Sequence, residues 1–140
     1  MKTLLWIIGA TAALALASCT KKYYNTIPSQ TIYAQADSTD WTKYPTTNSN
    51  SWAISINMPE ITDAVAQNDD VSVFISYNYD TPNASDIQYE AIPEVYNGYS
   101  YSYTYQTGQI AIYAQSPTAT LPAATPGKVT VKIVLTPSAQ

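Results

Sequence analysis

Beyond residue 50 the chain alternates hydrophobic and polar positions with a period of two, the pattern of strands that turn one face to a core. Trp52, Ile54, Ile56 and Met58 alternate with Ala53, Ser55 and Asn57. Val71, Val73, Ile75 and Tyr77 share one face of a second segment, with Phe74 on the other. Tyr99, Tyr101, Tyr103 and Tyr105 alternate with Ser100, Ser102 and Thr104, which sets four rings on one side of a single strand. Gly108 ends that strand; Ile110, Ile112 and Ala114 begin the next. After a Pro-rich loop, Val129, Val131, Ile133 and Leu135 form a last strand that stops at Pro137.

Between these segments the signals are local. Residues 31–36 read as a first strand, followed by a polar loop through Asn50. Residues 59–65 read as a short helical turn, with Pro59 in its first turn and acids near its N-terminus. Asn68, Asp69 and Asp70 mark a turn. Residues 87–96 read as a strand that Pro93 demotes to a sheet edge or breaks with a bulge. Asn97 and Gly98 lie between β-formers and tolerate the positive φ angles of a two-residue hairpin. The sum is about seven short strands joined by turns, which predicts an all-β, immunoglobulin-like antiparallel sandwich over residues 30–137.

The N-terminal stretch has a different pattern. Lys2 is followed by an apolar run from Leu4 to Leu16, too short and Ala-rich for a good membrane span, and then by Ala17, Ser18 and the only cysteine, Cys19. Leu16-Ala17-Ser18-Cys19 resembles a bacterial lipobox. The resemblance implies a lipoprotein signal peptide over residues 1–18 and acylation of Cys19, which becomes the lipid-anchored mature N-terminus. The alternative is an ordinary secretory cut after Ala15-Leu16-Ala17 that leaves a free thiol, a liability in an oxidising compartment. Residues 19–29, with Lys21, Lys22, Asn25 and Pro28, read as a tether between lipid and domain.

Taking 18 residues from 140 leaves 122, enough for one domain with a real core and too few for two. Past the leader, five lysines face ten carboxylates, with no arginine and no histidine. Nucleic acid is therefore not an expected partner, since phosphate tracking needs clustered cations and bidentate base reading needs arginine. Tyrosine is the strongest bias, 13 residues against one phenylalanine, and it suits half-buried pleated surfaces.

Without histidine, and with the one cysteine at the lipidation site, Ser-His-Asp, Cys-His and His-ligated zinc chemistry have no residues to use. Three carboxyl pairs remain for glycosidase-like chemistry: Glu60 with Asp63, Asp69 with Asp70, and Glu90 with Glu94. The first opens a short helix, the second lies in a turn and the third flanks a proline, so solvated turn acids are expected. Asn68-Asp69-Asp70, or Asp37 with Asp40, offer oxygens for calcium, but neither has EF-hand spacing; no metal and no cofactor is expected. Asp37-Ser38-Thr39 resembles the short O-glycosylation acceptor of exported Bacteroidota proteins, with Ser38 as the modified hydroxyl. Tyr99, Tyr101, Tyr103 and Tyr105 are the best candidate ligand-binding row, against the expectation that such rings fill the core or pair across the hairpin.

The order of features resembles a family of small Bacteroidota lipoproteins whose longer members carry the same β-domain after a collagen-like segment. The matching steps are Ser38-Thr39-Asp40-Trp41, Pro59-Glu60-Ile61-Thr62 with Ala64-Val65, and Asp70-Val71-Ser72-Val73-Phe74. The Tyr-rich hairpin, Gly108-Gln109-Ile110-Ala111-Ile112 and residues 128–134 complete them. This chain has no Gly-x-y repeat, and it has Tyr77-Asn78-Tyr79 where longer members tend to place a tryptophan segment. The resemblance implies the sandwich and an outer-membrane address, and no activity. Lys21 and Lys22 stand where surface-exported lipoproteins of that phylum tend to carry an acidic run, so the periplasmic face is expected. The reading is a non-enzymatic, membrane-anchored envelope lipoprotein, structural or adhesive, with envelope proteins or glycans as partners. The alternative is a carbohydrate-binding accessory protein that uses the tyrosine row.

Overall fold

The computed structural model describes residues 28–45, 49–78, 83–121 and 123–138. The leader, Cys19 and nearly all of the tether lie outside the described residues. Among the described residues, nine strands form two antiparallel sheets: β1 (Gln30–Ala36), β2 (Thr42–Tyr44), β3 (Ser51–Met58), β4 (Asp70–Ser76), β5 (Glu90–Ala91), β6 (Glu94–Tyr96), β7 (Tyr99–Gln106), β8 (Gly108–Gln115) and β9 (Val129–Thr136). One sheet has the order β1-β9-β4-β5, the other β2-β3-β8-β7-β6.

Among the described residues the chain crosses between the sheets four times, from β1 to β2, β3 to β4, β5 to β6 and β8 to β9. In the five-stranded sheet β3 lies beside β8, and in the four-stranded sheet β4 lies beside β9. The β3–β4 and β8–β9 crossings leave from opposite ends of the β3/β8 pair. In immunoglobulin notation β2-β3-β8-β7 follow the order A-B-E-D, and β4 with β9 take the places of C and F. The place of strand G, beside F, is filled by the first strand, β1.

The alternating positions meet in the centre. Trp52, Ile54 and Met58 of β3, Ile110, Ile112 and Ala114 of β8, and Tyr99 and Tyr101 of β7 face Val71, Val73 and Ile75 of β4 and Val129, Val131, Ile133 and Leu135 of β9, all buried. Trp41, Ile61 and Ile92 plug the core from the connections. The Trp41 indole N–H donates to the Gly127 carbonyl at 2.7 Å, joining the β1–β2 connection to the approach to β9.

Nine strands replace the seven expected for two local reasons. Residues 42–44, read as loop, form β2 because β3 offers a free edge to Thr42, Lys43 and Tyr44, whose own sequence carries no period. The strand expected over residues 87–96 is split at Pro93. β5 pairs with β4, β6 pairs with β7, and the chain changes sheet between them. Proline has no N–H to continue either ladder, so the split falls at an edge. The expected helical turn is also displaced. Pro59 and Glu60 sit in a turn closed by Ile61 N–H to Met58 O at 3.0 Å, and the helix α1 is Asp63–Asn68, capped by the Thr62 hydroxyl accepting from Val65 N–H. A threonine cap overrides the proline signal here. The Asn97-Gly98 hairpin forms as expected, with φ of 47° and 82° and Tyr96 opposite Tyr99.

Candidate functional site

The four alternating tyrosines do leave one side of β7, but that side faces inward. Tyr99 and Tyr101 are buried, at 9% and 1% exposure, Tyr103 is half-buried, and only Tyr105 is exposed. Strand register does not set this gradient, since Tyr101, Tyr103 and Tyr105 lie opposite Ala114, Ile112 and Ile110, all core positions. Tyr99 donates to Ala124 O at 3.1 Å, and Tyr103 reaches across the sandwich to donate to Val71 O at 2.7 Å. Burial raises the pKa of Tyr101 and Tyr103 above the ordinary phenol range. The row is therefore no continuous exposed platform: two of its rings are core.

The carboxyl candidates separate in the same way. Asp63 accepts from the Thr107 hydroxyl at 2.6 Å, Asp69 from Ser138 N–H at 3.2 Å and Asp70 from the Ser72 hydroxyl at 2.7 Å. Asp40 accepts from Asp37 N–H at 2.7 Å and closes the turn that presents Ser38, which is exposed. These acids hold turns and helix ends together. Among the described residues, no three His, Cys, Asp or Glu side chains gather as a metal ligand set would.

Glu90 and Glu94 behave differently, because the sheet change at Pro93 folds them back on each other. Burial, followed by a hydrogen bond with Glu90, raises the pKa of Glu94 above the ordinary carboxyl range, against the opposing effect of its bond from Tyr77. The Tyr77 hydroxyl donates to Glu94 Oε1 at 2.9 Å. The Tyr77 ring stacks on Tyr96 at 3.7 Å and 7°, and tilts against Tyr101 at 5.3 Å. Burial and the Glu94 bond push the Tyr77 phenol well up. Tyr77, Asn78, Gln88, Glu90 and Tyr96 line a small cleft of about 140 Å³ over this group.

A second aromatic group covers the outer face of the four-stranded sheet. Tyr33, Lys132, Phe74 and Ala91 lie on one rung across β1, β9, β4 and β5. The Lys132 ammonium sits 4.5 Å from the Phe74 ring centre and 4.8 Å from that of Tyr89, and Tyr33 packs on Tyr89 at 6.0 Å. Sequence reading missed this group. Period two places Phe74 and Lys132 on outward positions, but only the strand order brings them into one rung.

No family model, no curated protein and no solved structure matches this chain.

Proposed function

We propose that the protein is a non-enzymatic lipoprotein of the cell envelope, anchored in the outer membrane through lipid on Cys19, whose sandwich serves as a structural or adhesive interaction module. The observation that carries this reading is Leu16-Ala17-Ser18-Cys19 closing a short apolar leader ahead of a β-domain. The lack of histidine supports the non-enzymatic part, as do the acids taken up by turns, the helix end and a mutual carboxyl contact. The carbohydrate-binding alternative is left with Tyr103 and Tyr105, stacked at 6.5 Å, since Tyr99 and Tyr101 are core residues.

Mass spectrometry of the N-terminal peptide tests the anchor. An acylated Cys19 is the expected result, and an unmodified terminus following a cut after Ala17 would overturn it. Protease treatment of intact and lysed cells tests the face of the membrane: protection in intact cells is expected for a periplasmic domain, and cleavage would place it outside. Ser38 is proposed as a glycosylation site, checked by a glycan mass on its peptide.

A further inference from the structure

Edge strands expose unpaired backbone N–H and C=O groups, and folded proteins blunt them with short length, charge or proline. Among the described residues, three of the four edge strands are blunted, although they leave β3 beyond Ala53 and β7 beyond Tyr101 uncovered. β2 has three residues, carries Lys43 and ends before Pro45; β5 has two residues and ends before Pro93; β6 has three residues and begins with Glu94. β1 differs in being an edge strand that is open along its whole length. Its seven residues, Gln30–Ala36, contain no charge, proline or glycine, and among the described residues it is paired on one side only, to β9.

The flank beside β1 is open as well. β2 covers only Ser51, Trp52 and Ala53 of β3, so a cleft of about 340 Å³ remains between the sheets, with Ala34, Ala36, Ile54 and Ile56 among its walls. The two alanines of β1 leave room for a bulkier inward side chain from a strand added beside them.

We propose that β1 pairs antiparallel with β1 of a second copy of this chain, about a two-fold axis at Tyr33, joining two four-stranded sheets into one. Position 33 is the centre of the strand. In that register Tyr33 meets its counterpart on the outer face, where it is 61% exposed in one copy. Thr31 meets Gln35 of the mate, and Ile32 arrives opposite Ala34, at the mouth of the cleft. Large therefore faces small on the inner side, and the pairing is self-complementary. The absence of charge along β1 removes the like-charge repulsion that a two-fold axis would impose on any charged edge residue. Tyrosine opposite tyrosine is a favourable cross-strand pair.

Site-specific cross-linking of the full chain in its own membrane tests the register. Directly opposed residues in an antiparallel pair have Cα atoms about 4.5–5.5 Å apart, within disulfide reach. Tyr33→Cys should give an oxidised dimer whose linked peptides, identified by mass spectrometry, both contain position 33. Gln35→Cys alone should not link to itself, because its counterpart is displaced by four residues, roughly 13 Å. Thr31→Cys and Gln35→Cys expressed together should link to each other. Equal linking at positions 33 and 35, no linking at 33, or a Tyr33→Cys link to a different protein would each overturn the proposal. In sedimentation of the detergent-solubilised chain, Tyr33→Lys should weaken the dimer by about tenfold while leaving the unfolding transition in place. A purely monomeric parent chain, or an unaltered dimer in Tyr33→Lys, would also overturn it.

Discussion

The Tyr77 hydroxyl donates to Glu94 Oε1 at 2.9 Å across the point where the chain leaves one sheet for the other. The bond ties the end of β4 to the first residue of β6, and the stack of Tyr77 on Tyr96 extends the tie to the next hairpin. An edge built from two strands of two and three residues has few ladder hydrogen bonds of its own. Side chains supply the missing attachment.

This group makes stability depend on pH in a stated direction. Burial and then Glu90 raise the pKa of Glu94 in the folded state above its ordinary value of 4.5. A raised folded-state value means that the folded protein binds the proton more tightly than the unfolded chain. The stabilisation is fully present below the unfolded carboxyl value and is lost as pH rises through the folded one. Thermal unfolding followed from pH 4 upward should show this loss in the parent. Glu94→Gln, which keeps the shape without the charge, should flatten it and raise the melting temperature at neutral pH relative to the parent. An unchanged slope in Glu94→Gln would remove Glu94 as its source.

The tyrosine row makes a sharp contrast between neighbours. Tyr101→Ala removes a ring that is 1% exposed and should cost about 3–5 kcal/mol, as other buried aromatic truncations do. Tyr105→Ala, two residues along the same face but 38% exposed, should cost about 0.5 kcal/mol or less. Denaturant unfolding of the two variants reads the difference. Equal costs would contradict the gradient of burial along β7.

Two tryptophans test the value of one hydrogen bond. Trp41 and Trp52 are both buried, at 4% and 7%, but the Trp41 indole N–H is bonded to Gly127 O while that of Trp52 has no partner among the described residues. Trp→Phe removes the N–H at each. At Trp41 it also strands the Gly127 carbonyl, so Trp41→Phe should be the more destabilising by about 1–3 kcal/mol in chemical denaturation.

Gly98 tests the hairpin. A Cβ there would meet nothing within 4 Å, so the cost of a side chain is backbone conformation alone, at φ of 82°. Gly98→Val should cost about 1–2 kcal/mol and Gly98→Asn less, since asparagine visits the left-handed region more readily. Similar melting temperatures for the two variants would argue against a positive-φ turn.

Much of the sandwich was legible because period two and turn chemistry act over a few residues. Val71 to Ile75, Ile110 to Ala114 and Val129 to Leu135 carry their burial in their own alternation, and Asn97-Gly98 specifies its hairpin without help. The sequence also determined that histidine chemistry has no residues here, and it carries Leu16-Ala17-Ser18-Cys19, which resembles a lipobox. What depended on strand order could not be read along the chain. Alternation set the four tyrosines on one face of β7 but was silent on whether that face met water or β4 and β9. Residues 42–44 became a strand only because β3 had an edge to offer, and Glu90 met Glu94 only because the chain changed sheets at Pro93. Tyr33, Phe74, Tyr89 and Lys132 have little local signal in common, and β1 must pair with β9, and β9 with β4, before they share a surface. Local sequence fixes which side of a strand a residue occupies; long-range pairing between distant segments decides what that side touches.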